Sequence, residues 1–197
     1  SRQRKDGEIV NTVLIVEHPP VITLGANKPK NKLLKTDSQL KDAQIDTVQI
    51  RRGGGATAHN PGQLVFYPIM DLHQLGLAIT DYVRELESIG IELLSRLGVT
   101  SDRKKGYPGL WVGEDKIASI GVRVSRFITH HGMAINICND LEIFDNMIPC
   151  GIDGVVMTSV EKQIGSKIPL QNAKQILIKV LTQHFSNEDI VEYEKHS

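Results

Sequence analysis

Two side chains in this sequence stand where they could do covalent chemistry. Cys150 lies in the run Ile148-Pro149-Cys150-Gly151-Ile152, between a proline and a glycine. Such a segment reads as a loop, and a loop thiol is a better nucleophile candidate than a core one. Cys138 instead ends an apolar strand-like run and reads as packing. A free thiol ionises with a pKa of about 8.5, so at neutral pH it needs an activating neighbour. Lys116 opens a strand pattern in which Lys116, Ala118, Ile120, Val122 and Val124 alternate onto one face, and Ser119, Gly121 and Arg123 onto the other. Burial on that apolar face would disfavour the ammonium and make a lysine base. A strand-end lysine that snorkels to water fits the same pattern. His59 and the pair His130-His131 complete the reactive set. Three readings follow: covalent acyl transfer through a thiolate with a lysine base, a Cys-His hydrolase, or a metal site. No C-x-x-C or other short-range ligand spacing supports the metal. The first two stay open on residue chemistry alone.

A glycine-rich stretch, "RRGGGATAHNPGQLVFYPI" at 51–69, is the other unusual feature. Gly53, Gly54 and Gly55 permit close backbone approach to a ligand, and the adjacent arginines offer a fixed charge or a forked donor. A hairpin loop with surface arginines is the plainer alternative. Gly53, Gly55 and Ala58 match G-x-G-x-x-A, but Asn60-Pro61-Gly62 follows where a dinucleotide site needs a helix. No G-x-x-x-x-G-K-[ST] phosphate loop occurs either.

These residues need elements to position them. Apolar β-branched runs predict strands at 13–16 and 21–24, joined by a rigid turn at Glu17-His18-Pro19-Pro20. Strands at 47–50 and 64–69 flank the glycine stretch, placing it on a loop, where binding residues concentrate. Apolar residues spaced by three and four predict an amphipathic helix over 79–97, with Gly98 at its C-terminal end. The run 106–113 reads as a turn into a short strand. Strands at 116–124 and 131–138 form an antiparallel hairpin about a turn near 126–129. A short helix at 158–163 and a longer one at 170–185, opened by Pro169, complete the pattern. Residues 28–35 hold four lysines, a solvated loop or short helix that could instead dock an acidic partner. The polar residues 187–197 are expected to fray.

Composition narrows the class. At 197 residues, 40% hydrophobic and 23% charged, the chain fits one α/β domain over 1–197. Balanced charge, 23 basic against 23 acidic residues, argues against general nucleic-acid binding. No apolar run approaches the roughly 20 residues of a membrane span. Two cysteines suit a reducing compartment, so a cytoplasmic location is expected. The chain opens on Ser1 without an initiator Met, so native residues are expected upstream, and a targeting signal among them stays open.

Four blocks carry a resemblance: "EHPPVITLG" at 17–25, "RGGGATAHNPGQLVFYPI" at 52–69, "KIASIGVRVSRFITHHGMAIN" at 116–136 and "MIPCGI" at 147–152. In this order they resemble the octanoyltransferases of lipoate biosynthesis, also called lipoyl(octanoyl) transferases. The resemblance implies an α/β (α+β) fold, a mixed β-sheet flanked by helices, akin to the biotin protein ligase and lipoate ligase catalytic domains. It implies octanoyl transfer from acyl carrier protein, through a cysteine thioester, to a lysine of a lipoyl domain. Acceptors would be the lipoyl domains of 2-oxoacid dehydrogenases and the glycine cleavage H protein, with no cofactor, ATP or metal. Cys150 matches the family nucleophile and Lys116 the residue that activates it. Substrate contacts carry over to Arg52, Gly53, Gly54, Gly55, Ala56, Thr57, Ala58 and His59, to Ser119, Ile120 and Gly121, and to Gly132, Met133 and Ala134. His131 would help order the pocket.

The sequence departs from the family where Thr-Tyr-His-Gly-Pro-Gly-Gln is usual and Thr57-Ala58-His59-Asn60-Pro61-Gly62-Gln63 stands here. Ala58 in place of an aromatic is expected to enlarge the pocket wall. Asn60 in place of glycine is milder, because Asn tolerates left-handed backbone. The run Arg51 to Ala56 leans toward lipoate ligases, so an ATP-dependent lipoate–protein ligase is the competing function.

Overall fold

A computed structural model describes residues 10–185; the tail expected to fray lies outside them. Six strands form an antiparallel sheet in the order β1 (Thr12–Val16), β5 (Gln63–Ile69), β9 (Ile128–Asn136), β8 (Asp115–Ser125), β7 (Tyr107–Val112) and β6 (Asp102–Lys104). A second sheet holds β3 (Asp46–Gln49), β2 (Val21–Leu24) and β4 (Thr57–His59). Only this small sheet is mixed, with β2 parallel to β3 and antiparallel to β4.

The two long helices cover one face of the large sheet. Helix α1 (Asp37–Asp42) is short, and a capping box between Thr36 and Gln39 starts it. Helix α2 (Ile79–Arg96) buries Tyr82, Leu86, Ile89, Leu93 and Leu94 at helical spacing. Helix α3 (Val160–Ile164) is capped by Ser159, and α4 (Leu170–His184) buries Ala173, Leu177, Val180 and Leu181. These residues join Leu64, Phe66, Ile117, Ala118, Met133 and Ile135 of the sheet in the main core. Strand alternation turns Val65, Tyr67, Gly132 and Ala134 to the opposite face. Among the described residues no helix is long and apolar enough to cross a membrane.

The strands expected at 13–16 and 21–24 both form, β1 in the large sheet and β2 in the small one. The Pro-Pro connection therefore crosses between sheets and carries His18 with it. Two local expectations need correction. A further strand, β4, follows the glycines, so His59 stands on a strand and not on a loop. The second correction concerns Lys116. Leu110 faces Ala118, but Trp111 faces Lys116, leaving Ile117 as the extra residue of a β-bulge. Past a bulge the alternation shifts by one. Lys116 thus leaves the face of Ala118 and joins that of Trp111.

The β8–β9 hairpin is anchored by backbone conformation. Arg126 and Phe127 both have positive φ, as a two-residue turn between right-twisted strands requires. At Gly132 a Cβ would meet the Phe66 carbonyl oxygen at 2.2 Å and Pro68 Cδ at 2.9 Å, so β5 and β9 close only over a bare backbone. Gly132→Ala should accordingly lower the stability by about 2 kcal/mol, read from the midpoint of urea unfolding at unchanged slope. A variant within experimental error of wild type would contradict this packing.

Candidate active site

The uncovered face of the large sheet and the small sheet enclose a cavity of about 360 Å³, within the range of about 300–1,000 Å³ usual for small-molecule sites. Its walls come from both sheets: Val21, Thr23, Val48, Thr57 and His59 on one side, and Val65, Tyr67, Ser119, Gly121 and Ala134 on the other. Arg52, Gly54, Ile120, His131, Gly132 and Met133 also line it, and so does Cys150.

Cys150 sits on a 3-10 turn, Pro149–Gly151, with φ of 56° and ψ of 11°. A left-handed residue other than glycine is costly and persists only where its surroundings hold it. Here the Cys150 N–H donates to the Ala56 carbonyl at 2.8 Å, which ties the turn to the start of β4. The same segment then laces onto β8: the Lys116 N–H donates to the Val156 carbonyl at 2.8 Å, and the Thr158 N–H to the Lys116 carbonyl at 3.0 Å. The chain that carries the thiol is thus hydrogen-bonded to the residue that carries the amine.

Lys116 has 0% exposure. Its Nζ donates to the Pro108 carbonyl at 2.7 Å and lies 4.5 Å from the centroid of the Trp111 ring. An ammonium has three donors, and among the described residues the Pro108 carbonyl is the one hydrogen-bond acceptor this amine meets. Burial pulls its pKa below the ordinary lysine value, while Cys150 and Glu87 pull it partly back. The snorkelling alternative is therefore excluded. Lys116 does not itself line the cavity; it stands behind the wall, within electrostatic reach of Cys150.

Arg52 is a clamp. Nη2 donates to the Thr23 carbonyl at 2.7 Å and to Thr23 Oγ1 at 2.8 Å, and Nε reaches Oγ1 at 3.3 Å. Nη1 donates to the carbonyls of Gly55 at 2.7 Å and Gly53 at 3.0 Å. All five guanidinium donors are used to hold the glycine stretch onto β2. What remains for a ligand is the charge and not the fork. The close approach explains Gly25 too, since a Cβ there would lie 2.2 Å from the Gly54 carbonyl oxygen.

Burial weakens the cavity histidines as bases. Asn136 Nδ2 donates to the Thr158 carbonyl at 2.9 Å, which turns its Oδ1 to accept from Gln63 Nε2 at 2.9 Å. Gln63 Oε1 then meets His59 Nδ1 at 2.7 Å. An amide oxygen only accepts, so the network assigns His59 as the Nδ1–H tautomer. Burial pushes its pKa down to about 4 against the Gln63 hydrogen bond, with His18, Arg52 and His131 lowering it further. Burial, then Arg52, His130 and Arg123, also lower His131, which has φ of 60° and meets the Tyr67 ring edge-on. His18 Nε2 lies 2.8 Å from the Tyr67 hydroxyl.

Of the residues singled out from sequence, Arg52, Gly54, Thr57, His59, Ser119, Ile120, Gly121, His131, Gly132, Met133, Ala134 and Cys150 meet at the cavity. Gly53, Gly55, Ala56 and Ala58 do not line it. Ala58 pairs with Ile22 and faces a satellite core with Leu40, Phe144 and Met147. A small residue there leaves the cavity width unchanged, contrary to the expectation from sequence. Asn60 does not adopt positive φ; it is buried, donating to the Asp140 carbonyl and accepting from Asn139. His18, Tyr67 and Thr23 were missed as wall residues. The period-two pattern placing Val21 and Thr23 together, and Val65 with Tyr67, carried that signal.

The buried amine has a measurable cost. Lys116→Met keeps the packing volume and removes the ionisable group, and should raise the stability at neutral pH by about 1 kcal/mol or more. The sign follows from linkage: the folded state holds the proton less readily than the unfolded chain. The cost is full below the folded-state pKa and fades as pH rises toward the ordinary lysine value. Urea unfolding across that range checks it; a destabilised variant at neutral pH would contradict it.

Sequence and structure comparisons place the chain. The lipoyl protein ligase A/B catalytic domain family matches residues 1–182. The octanoyltransferase of Desulfovibrio desulfuricans is 41% identical over 157 residues, covering 80% of this chain and 66% of that protein. The octanoyltransferase of Syntrophobacter fumaroxidans is 43% identical over 160 residues, covering 81% of this chain and 70% of that one. The chain thus spans about two-thirds of the length of these curated relatives, 66% and 70%. In structure it resembles lipoate-protein ligase A bound with ATP, with a TM-score of 0.72 and 17% identity over 93% of this chain and 74% of that one. A bipartite lipoate protein ligase from Thermoplasma acidophilum gives a TM-score of 0.72 at 17% identity, over 93% and 73% of the two chains. Identity that low speaks for the fold alone, an antiparallel sheet flanked by helices. The chain belongs to the lipoyl protein ligase A/B catalytic domain family and groups within it with the octanoyltransferases, which makes it an acyltransferase.

Proposed function

We propose that this chain takes an octanoyl group from octanoyl–acyl carrier protein, holds it as a thioester on Cys150, and passes it to a lysine of a lipoyl domain. The acceptors are the lipoyl domains of 2-oxoacid dehydrogenases and the glycine cleavage H protein, in the cytoplasm. One observation carries this reading: a free thiol on the wall of an apolar cavity, with a fully buried lysine amine within its electrostatic reach.

In the first half, the Cys150 proton moves to Lys116 Nζ and the thiolate attacks the donor thioester carbonyl. The carbon–sulfur bond to the carrier breaks, and the departing thiolate takes the proton back from Nζ. In the second half, the acceptor amine attacks the Cys150 thioester. A carbon–nitrogen bond forms, the amine proton passes to Nζ, and the Cys150 thiolate leaves and recovers that proton. Exchange between two thioesters is nearly isoenergetic, and amide formation drives the second step. A lysine whose pKa burial lowers suits both proton transfers. Burial keeps His59 neutral with a pKa of about 4, too weak a base to compete. Its role, with His131 and Tyr67, is to shape the acyl-binding wall. Arg52 contributes its charge, and the bare Gly121 lets the Arg52 side chain pack against β8. No step calls for ATP or a metal.

The competing reading is an ATP-dependent lipoate–protein ligase, favoured by the run Arg51 to Ala56. The two separate on one residue. Intact-mass analysis after exposure to octanoyl–acyl carrier protein should find one octanoyl unit on the protein, absent in Cys150→Ala. A Cys150→Ala variant that still charges octanoate with ATP would establish the ligase instead.

Lys116 has its own signature. Wild-type loading of Cys150 should rise with pH through the lowered Lys116 pKa, because the base acts deprotonated, and then level off. Lys116→Ala should load about a hundredfold more slowly at neutral pH, with partial recovery at higher pH. Unchanged loading kinetics in that variant would remove Lys116 from the mechanism.

A further inference from the structure

One buried carboxylate has no part in the chemistry above. Glu87 lies on α2 with 7% exposure, and a carboxylate at such depth persists only where it is paired. Its Oε2 accepts from Arg103 Nε at 3.0 Å. Arg103 is held in turn through Nη2, which donates to Ser88 Oγ at 2.7 Å and to the Arg84 carbonyl at 3.1 Å. The other oxygen, Oε1, accepts the buried Gly109 N–H at 3.3 Å.

That N–H belongs to the same peptide group as the Pro108 carbonyl, which accepts from Lys116 Nζ at 2.7 Å. A trans peptide points its N–H and C=O in opposite directions within one rigid plane. The peptide between Pro108 and Gly109 is therefore gripped at both ends, by a carboxylate from α2 and by the amine from β8. Its dipole suits both, with the N–H toward the anion and the oxygen toward the amine. Gly109 has φ of 113°, and a Cβ on it would lie 2.3 Å from the Ala118 carbonyl oxygen and 2.7 Å from Lys116 Nζ. Bare backbone is what lets this peptide close over the amine. The Trp111 ring is a shared partner by comparison, since Lys104 Nζ lies 4.6 Å from its centroid and Lys116 Nζ 4.5 Å.

We propose that Glu87 is a positioning residue for acyl transfer: by holding the Gly109 N–H it sets the Pro108 carbonyl, and that carbonyl sets Lys116 Nζ behind the wall that carries Cys150. This reading rests on the lysine-assisted transfer proposed above. A base must come within about 2.6–3.2 Å of the atom whose proton it takes, so a carbonyl that drifts takes the base out of reach. The carboxylate also acts through its charge. Burial lowers the Lys116 pKa, and Cys150 and then Glu87 raise it, because a nearby anion favours the ammonium.

The test is single-turnover loading of Cys150 from octanoyl–acyl carrier protein, followed against pH in wild type and four variants. Glu87→Ala should load about tenfold more slowly than wild type at the high-pH plateau, where the amine is neutral and only its placement is at stake. In a Lys116→Ala background the same change should cost less than about twofold, because a residue acting through the amine has nothing left to place. Glu87→Gln keeps the shape, removes the charge, and should move the rise of loading to lower pH. The Lys116 amine, followed by nuclear magnetic resonance, should titrate lower by the same interval. An equal loss from Glu87→Ala with and without Lys116 would mean that Glu87 only supports the fold, and would overturn the proposal. So would wild-type loading in Glu87→Ala, or a Lys116 titration unmoved by Glu87→Gln. Wild-type protein that forms no octanoyl–Cys150, or a Lys116→Ala variant that loads like wild type, would instead overturn the transfer reading itself, and shows without any Glu87 variant.

Discussion

A lysine amine with no exposure to water, donating to the Pro108 carbonyl and beside an indole face, is the constraint around which this structure is arranged. An ammonium so placed lacks most of the hydration it would have in solution. An indole face beside a desolvated cation returns only about 2 kcal/mol of that. The group is therefore biased toward the neutral amine, and the bias persists only while its surroundings stay closed. The bulge at Ile117 turns Lys116 away from the helix-facing core and toward the thiol. The return of the Cys150 segment onto β8 seals it there.

The cavity depends on a second device. Two sheets must stand apart far enough to admit a chain, yet stay registered. Arg52 spends every donor on Thr23, Gly53 and Gly55 to fix the glycine stretch to β2, and the Gly53 N–H then donates to the Val122 carbonyl of β8 at 2.9 Å. The amide relay from Thr158 through Asn136 and Gln63 to His59 does the same at the base of β4. Both devices place a polar group in an apolar wall without leaving it free to act as acid or base. In the proposed transfer, that leaves the proton steps to Lys116. The satellite core around Ile22, Ala58 and Phe144 supports the small sheet from behind.

Much of this was legible in the chain. The helix over 79–97 and the hairpin strands follow from simple periodicity, and Cys150 stood out by its Pro-Gly setting. Lys116 was found for a reason that proved geometrically incorrect. Strict alternation placed it with Ala118, and only a one-residue bulge, invisible to a period-two pattern, put it on the other face. The glycine run signalled close approach, which Gly25 and Gly55 meet in backbone contacts, but Arg52 looked like a ligand fork when it is a clamp. Its partners lie 29 residues away on Thr23, and such pairings cannot be read from local spacing. Ala58 misled for a similar reason: which face of a three-residue strand looks at the cavity is decided by its partner β2.

The account turns on the coupling between the Lys116 amine and the Cys150 thiol, and nuclear magnetic resonance titration of the Lys116 side chain measures it directly. In wild-type protein the amine should titrate below the ordinary lysine range. Replacing Cys150 with serine should lower the value further, because the cysteine pulls it upward. A Lys116 that titrates like a surface lysine, or one indifferent to the loss of Cys150, would contradict the account.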